Sequence, residues 1–176
     1  MSRLALAPEL AAVRAHAPVA LIELEAAYTA ACTTIDRELA DALRRRIEAA
    51  ADGGGAPAAE REEAVLGFAD QFVVHVQGIT AGQREAAAAV VGEAGLHDLA
   101  RTVYVFDLTT RLRRTLVRLY PEGQGTPPPH LGPPVRKPLG VALEGLHAAS
   151  MRLRSLDPPT TELVRLHCAR HHDCKT

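Results

Sequence analysis

The sequence has no tryptophan and only three phenylalanines and three tyrosines in 176 residues, an aromatic share of 3%. A sheet held by large cross-strand pairs needs residues that this chain has little of. Helices packed through small side chains need alanine and leucine, which dominate it. The expected fold class is therefore all-α. Cysteine is scarce as well. Cys32, Cys168 and Cys174 are too few, and odd in number, for a disulfide framework, so if two of them matter they point to chemistry rather than stapling. An excess of one charge is also missing. The 20 basic residues face 21 acidic ones, net −1, a balance that gives no broad pull toward nucleic acid or an anionic membrane. Near the start, Pro8, Glu9, Arg14 and His16 interrupt any long apolar run. Neither a secretory signal nor a membrane anchor is expected, and a cytoplasmic location is.

What is present is a succession of helical patterns. Pro8 to Ala15 gives a short helical lead, and Pro18 opens a longer apolar pattern through Leu21, Leu24, Ala27, Tyr28 and Ala31. Cys32 near its end is expected to be a small buried residue. A second helix runs from Thr34 through Leu39, Leu43 and Ile47 to the Asp52-Gly53-Gly54-Gly55 turn. Its basic run Arg44-Arg45-Arg46 is expected to be solvated and paired with Asp41 and Glu48, not to bind RNA. Glu60 to Gln77 should carry Val65, Phe68, Phe72 and Val76 on one face. Thr80 should cap the next helix, with Gln83 as capping-box partner. The pattern from Leu96 to Leu119 is the longest core candidate, and its arginines 111, 113, 114 and 118 suit the negative end of the macrodipole.

Between Pro121 and Pro138 lie seven of the twelve prolines. Fixed φ and missing amide donors make this stretch an extended linker. Beyond it the opening pattern returns. Val19, Ala20, Leu21, Leu24, Ala26 and Ala27 recur 122 residues later as Val141, Ala142, Leu143, Leu146, Ala148 and Ala149, and Glu38-Leu39 recurs as Glu162-Leu163. The expected organisation is one complete degenerate helical unit at 1–120, the linker at 121–138, and the start of a second unit at 139–176. Ala50 stands where the second unit has Cys174, so thiol chemistry would belong to the second copy.

The last stretch concentrates the reactive side chains. Pro158 and Pro159 are expected to stop what precedes, Thr160 or Thr161 to cap a new helix, and Glu162 to sit in its first turn, with an apolar face at Leu163, Val164 and Leu166. Glu162 and Cys174 are separated by eleven residues. With the surrounding Thr-Glu-Leu-Val-Arg-Leu and Cys-Ala-Arg, this segment resembles the alkylhydroperoxidase AhpD-like and carboxymuconolactone decarboxylase superfamily. Active members of that family follow the same glutamate and eleven-residue spacing with a cysteine, two residues, a second cysteine, three residues and a histidine. Phe68-Ala69-Asp70-Gln71-Phe72 and the pattern from Leu99 to Leu112 also look like the family's closing helices.

The resemblance implies a thiol-dependent peroxidase that reduces hydroperoxides with electrons from a protein or small-molecule thiol, without a cofactor, as a homo-oligomer of trimers or their multiples. Glu162 would be the proton acceptor and Cys174 the resolving member of the redox pair. The written sequence stops at Thr176, before the second redox position. Two expectations follow: a partial reading frame, or a UGA codon for selenocysteine at that position. On either, the full-length product is the expected enzyme, and the chain as written is inactive. A different class of function stays open. His167 and His171, and Cys168 and His172, are spaced four apart, and with Cys174 they could hold Zn²⁺. A noncatalytic helical oligomerisation module is the third reading.

Overall fold

The computed structural model describes residues 4, 7–51, 60–120, 135–153 and 157–171. Among these residues every regular element is helical and no strand occurs, so the chain is all-α. A 3₁₀ turn, Pro8–Leu10, leads into α1 (Ala11–His16), α2 (Pro18–Thr34), α3 (Arg37–Ala51) and α4 (Glu60–His75). After a second 3₁₀ turn, Val76–Gly78, come α5 (Ala81–Val91), α6 (Glu93–Leu119), α7 (Leu139–Met151) and α8 (Pro158–His171). The glycine turn at 52–59 and the proline-rich stretch at 121–134 lie outside the described residues.

α2 is the hub because most of its surface is apolar and only a narrow edge, with Val19 and Ile22, meets solvent. Ala20, Leu21, Leu24, Ala27, Ala31 and Cys32 are all buried, and an apolar stripe this wide must be covered by several neighbours. α1, α3, α6 and α7 supply that cover. α3 is the opposite kind of helix, burying Leu39, Leu43 and Ile47 and exposing Glu38 and Arg45. It begins at Arg37 rather than at Thr34, and its cap is Asp36. The Asp36 Oδ1 accepts from the amides of Glu38 (3.0 Å) and Leu39 (3.1 Å). Thr34 remains inside α2 and donates its hydroxyl to the Ala30 carbonyl at 2.8 Å.

The basic run on α3 resolves into pairs. Arg44 reaches both Asp41 and Glu48 at 3.4 Å, and Arg46 crosses to α4, where its Nε and Nη2 hold both oxygens of Asp70. On α4, Val65 and Phe68 are buried and Phe72 packs against the core. Val76 departs from the expected face and is exposed. The helix ends at His75, whose backbone is extended and whose carbonyl accepts from Gln71 Nε2 at 2.9 Å.

α5 starts with the expected capping box. The Thr80 amide donates to Gln83 Oε1 (2.9 Å), and the Gln83 amide donates to Thr80 Oγ1 (3.2 Å). The helix stops at Gly92, with φ of 79°. Glycine carries no Cβ penalty in that conformation, so a single residue reverses the chain into α6. α6 buries Leu99, Val103 and Phe106, and the Phe106 ring meets Tyr28 of α2 edge-on at 5.7 Å between centroids. Its arginines do more than suit the dipole. Arg111 pairs with Asp107 and donates to the Val73 carbonyl, Arg113 pairs with Glu9, and Arg114 donates to the Ala51 carbonyl. These bonds tie α6 to α4, to the entry turn and to α3.

α7 lies against α2 and gives Leu139 and Ala142 to the same core as Ala26 and Ala27. Lys137, just before α7, closes on the Glu23 carboxylate at 2.6 Å. The two segments with matching sequences thus pack on each other, and their exposure corresponds in part: Val19 and Val141 face outward, and Ala20 and Ala142, and Ala27 and Ala149, are buried, whereas Ala26 is buried and Ala148 exposed. A smaller cluster of Leu4, Leu10, Leu21, Leu24 and Leu116 forms a second core beside the first.

Candidate functional site

The helix that carries the predicted site starts differently from the sequence expectation. Asp157 is the capping residue: its Oδ1 accepts from the Thr160 amide at 2.9 Å and its Oδ2 from the Thr160 hydroxyl at 2.7 Å. Pro158 and Pro159 open α8 instead of only ending what precedes. Proline suits a first helical turn because the amide it lacks would have no partner there. The bonds from the Thr160 hydroxyl and amide hold the Asp157 carboxyl below its ordinary range, so the cap stays ionised into mildly acidic solution. The earlier start moves Glu162 out of the first turn into the second, where it is exposed.

α8 continues from Glu162 to His171, about 13 Å along its axis at the usual helical rise. Cys174 and His172 lie outside the described residues, as do the side chains of Cys168 and His171. Of the alternative metal set, His167 is described and exposed. Among the described residues no group of three or more histidine, cysteine or acidic side chains is arranged to hold a metal. A cleft of about 580 Å³ beside α3 gathers Asp36, Glu38, Glu62 and Asp98, but Asp36 is already engaged by the amides it caps. The apolar residues of α8 are turned to solvent, with Leu163 at 66% and Val164 at 52% exposure.

Cys32 is set apart from redox chemistry by its surroundings. It is buried among the alanines of α2, and loss of solvent pushes its thiol up to about 11. The thiolate is the nucleophile, so this sulfur is inert near neutral pH. Native protein treated with iodoacetamide at pH 7.5 should leave Cys32 unlabelled by peptide mass spectrometry, and unfolding in guanidinium should expose it to full labelling. Rapid native labelling would contradict its burial. Linkage gives the matching pH sense. The pKa is raised on folding, so the thiol's contribution to stability is whole below about pH 8.5 and falls away as pH rises toward 11.

An apolar groove of about 550 Å³ opens over the smaller core, between the α1–α2 corner, α6 and α7. The signal was present as the spacing of four that runs through Tyr104, Leu108, Leu112, Leu116 and Tyr120, one continuous ridge of a helix. No helix among the described residues is long and apolar enough to cross a membrane.

No family model matches the chain, and no solved structure matches it. Similar proteins are found in two strains of Mycobacterium tuberculosis, each named only as an uncharacterized protein. Each is 34% identical over 128 residues, covering 68% of this chain and 43% of the relative. The chain spans less than half the length of these curated relatives.

Proposed function

We propose that the chain is the helical, motif-bearing part of a thiol-dependent peroxidase of the AhpD-like type, with Glu162 as proton acceptor and Cys174 as resolving sulfur. The observation that carries this reading is the eleven-residue spacing of Glu162 and Cys174 on a segment that is helical from Pro158 to His171, with Glu162 open to solvent. The resemblance puts the attacking thiol or selenol three residues beyond Cys174. Glu162 takes its proton, and the thiolate or selenolate attacks the terminal oxygen of a hydroperoxide. The new bond to oxygen forms as the O–O bond breaks. The alkoxide released takes the proton back from Glu162 and leaves as an alcohol. The Cys174 thiol then attacks the oxidised sulfur or selenium, its proton leaves with the hydroxyl as water, and a disulfide or selenylsulfide results. A partner dithiol returns the pair to the reduced state.

The test uses the gene product extended past Thr176, with cumene hydroperoxide as substrate and dithiothreitol as reductant. The wild-type protein should consume hydroperoxide well above the rate of dithiothreitol alone. Glu162→Gln should lower that rate by about 10²–10⁴-fold, the usual contribution of a positioned proton acceptor. Cys174→Ser should leave an oxidised intermediate that dimedone traps. No consumption by the wild type, or an unchanged rate in Glu162→Gln, removes this reading.

A second reading, a noncatalytic oligomerisation module, is favoured by one observation: the exposed Leu163, Val164 and Leu166 on α8. Apolar side chains so placed on one short helix suit contact with another surface.

A further inference from the structure

We infer that the groove between the α1–α2 corner, α6 and α7 binds one single-chain amphiphile, a hydrocarbon chain ending in a hydrogen-bonding head such as a carboxylate. The inference does not depend on the peroxidase reading, and its test measures binding alone.

Shape is the first argument. The long wall of the groove is the α6 ridge Tyr104, Leu108, Leu112, Leu116 and Tyr120. At the helical rise of 1.5 Å per residue this ridge extends about 24 Å along the axis. The groove, of about 550 Å³, runs beside this ridge. An elongated wall of this kind suits an extended hydrocarbon chain laid along it. The volume itself falls within the range of ordinary small-molecule sites.

Chemistry of the lining is the second. Leu24 and Leu116 are almost fully buried and form the floor. Val13, Ala17 and Ala20 close one side, and Leu143 and Leu146 of α7 close the other. The polar side chains are at the rim. His16, His147 and Ser150 are exposed, as are Tyr104 and Tyr120 at the two ends of the ridge. Tyrosine presents an apolar ring to a chain and a hydroxyl to water, and the imidazoles and the serine hydroxyl can donate to an oxygen-bearing head. Among the described residues no lysine, arginine or carboxylate lines the groove, so the ligand is mainly apolar and its head is held by hydrogen bonds.

The probe is cis-parinaric acid, whose fluorescence rises when its chain leaves water, with myristic acid as competitor. The native protein should bind the probe with 1:1 stoichiometry, and myristic acid should displace it. Leu112→Glu, which sets a charge in the wall, and Ser150→Trp, which narrows the rim, should each weaken binding by at least about ten-fold, while Val164→Glu on α8 should leave it unchanged. Ser150 is exposed, so its substitution should spare the fold, and that variant decides the matter if Leu112→Glu loses its helical circular dichroism. Absence of binding by the wild type overturns the inference, as does unchanged affinity in folded Ser150→Trp. Two other results overturn it: probe binding lost as the protein dimerises at higher concentration, which makes the groove a contact between copies, and co-sedimentation with phosphatidylcholine vesicles without 1:1 binding of the free acid, which makes it a membrane surface.

Discussion

Phe106→Ala should cost the protein about 3–5 kcal/mol of stability, the usual range for removing a fully buried aromatic ring. Phe106 is 1% exposed and lies in the main core. Its ring meets Tyr28 at 5.7 Å between centroids with 65° between planes, the edge-to-face arrangement that adds about 0.5–1.5 kcal/mol to simple burial. The substitution therefore removes transfer energy, leaves a cavity between α6 and α2, and ends the aromatic contact together. Domains hold only about 5–15 kcal/mol in all, so the change should move the urea midpoint far down with little change in slope. A loss below about 1 kcal/mol would mean that α2 and α6 collapse into the space, which the small residues around Phe106 could permit only if the helices can slide. A cycle with Tyr28→Leu separates the ring contact from burial.

Ala142→Leu should also destabilise the protein, through excess volume rather than a void. Ala142 is 0% exposed, and the α2–α7 pair rests on buried alanines from both sides, including Ala27 and Ala149. A methyl group there lets the helices approach closely, and an isobutyl group pushes them apart. Overpacking of this kind costs about 1–3 kcal/mol. Because α7 joins the core mainly through α2, the effect should fall on α7 first. Limited proteolysis should cut within residues 139–151 at protease levels that leave the wild type whole. Loss of the α7 wall should also abolish cis-parinaric acid binding, since Leu143 and Leu146 line the groove. Equal resistance to protease in both proteins would show that α7 is seated by other contacts, such as the Lys137–Glu23 pair.

Features set by neighbours in sequence were the legible ones. The capping box at Thr80 and Gln83, the pairing of Arg44 with Asp41 and Glu48, and the burial of Cys32 each depend on residues close along one helix. Helix ends were harder, because two residues can compete for one cap. Asp36 caps α3, which was expected to begin at Thr34, and Asp157 took the role expected of Thr160 or Thr161. An ionised carboxylate is the stronger acceptor for helix amides, and a threonine inside a helix can satisfy its hydroxyl on the preceding turn. The proline pair was ambiguous for the same reason, since it both ends one helix and begins another. At the candidate site, the sequence placed Glu162 on the correct helix but one turn too early. The groove was not legible because its walls come from segments around residues 13–24, 104–120 and 143–153. Each of its leucines, taken alone, reads as ordinary core, and only the packing of α7 on α2 leaves them lining an open channel.

The broad apolar surface of α2 also bears on how the protein is made. α2 ends at Thr34, but the last helix to cover it begins only at Leu139. During synthesis α2 leaves the ribosome long before its cover exists, and contacts so distant in sequence cannot form until the intervening chain has been made. Through that interval the nascent chain carries a greasy rod that cannot yet be shielded by its own sequence, which makes this stretch the natural client of a chaperone and the first place where newly made molecules would stick to each other.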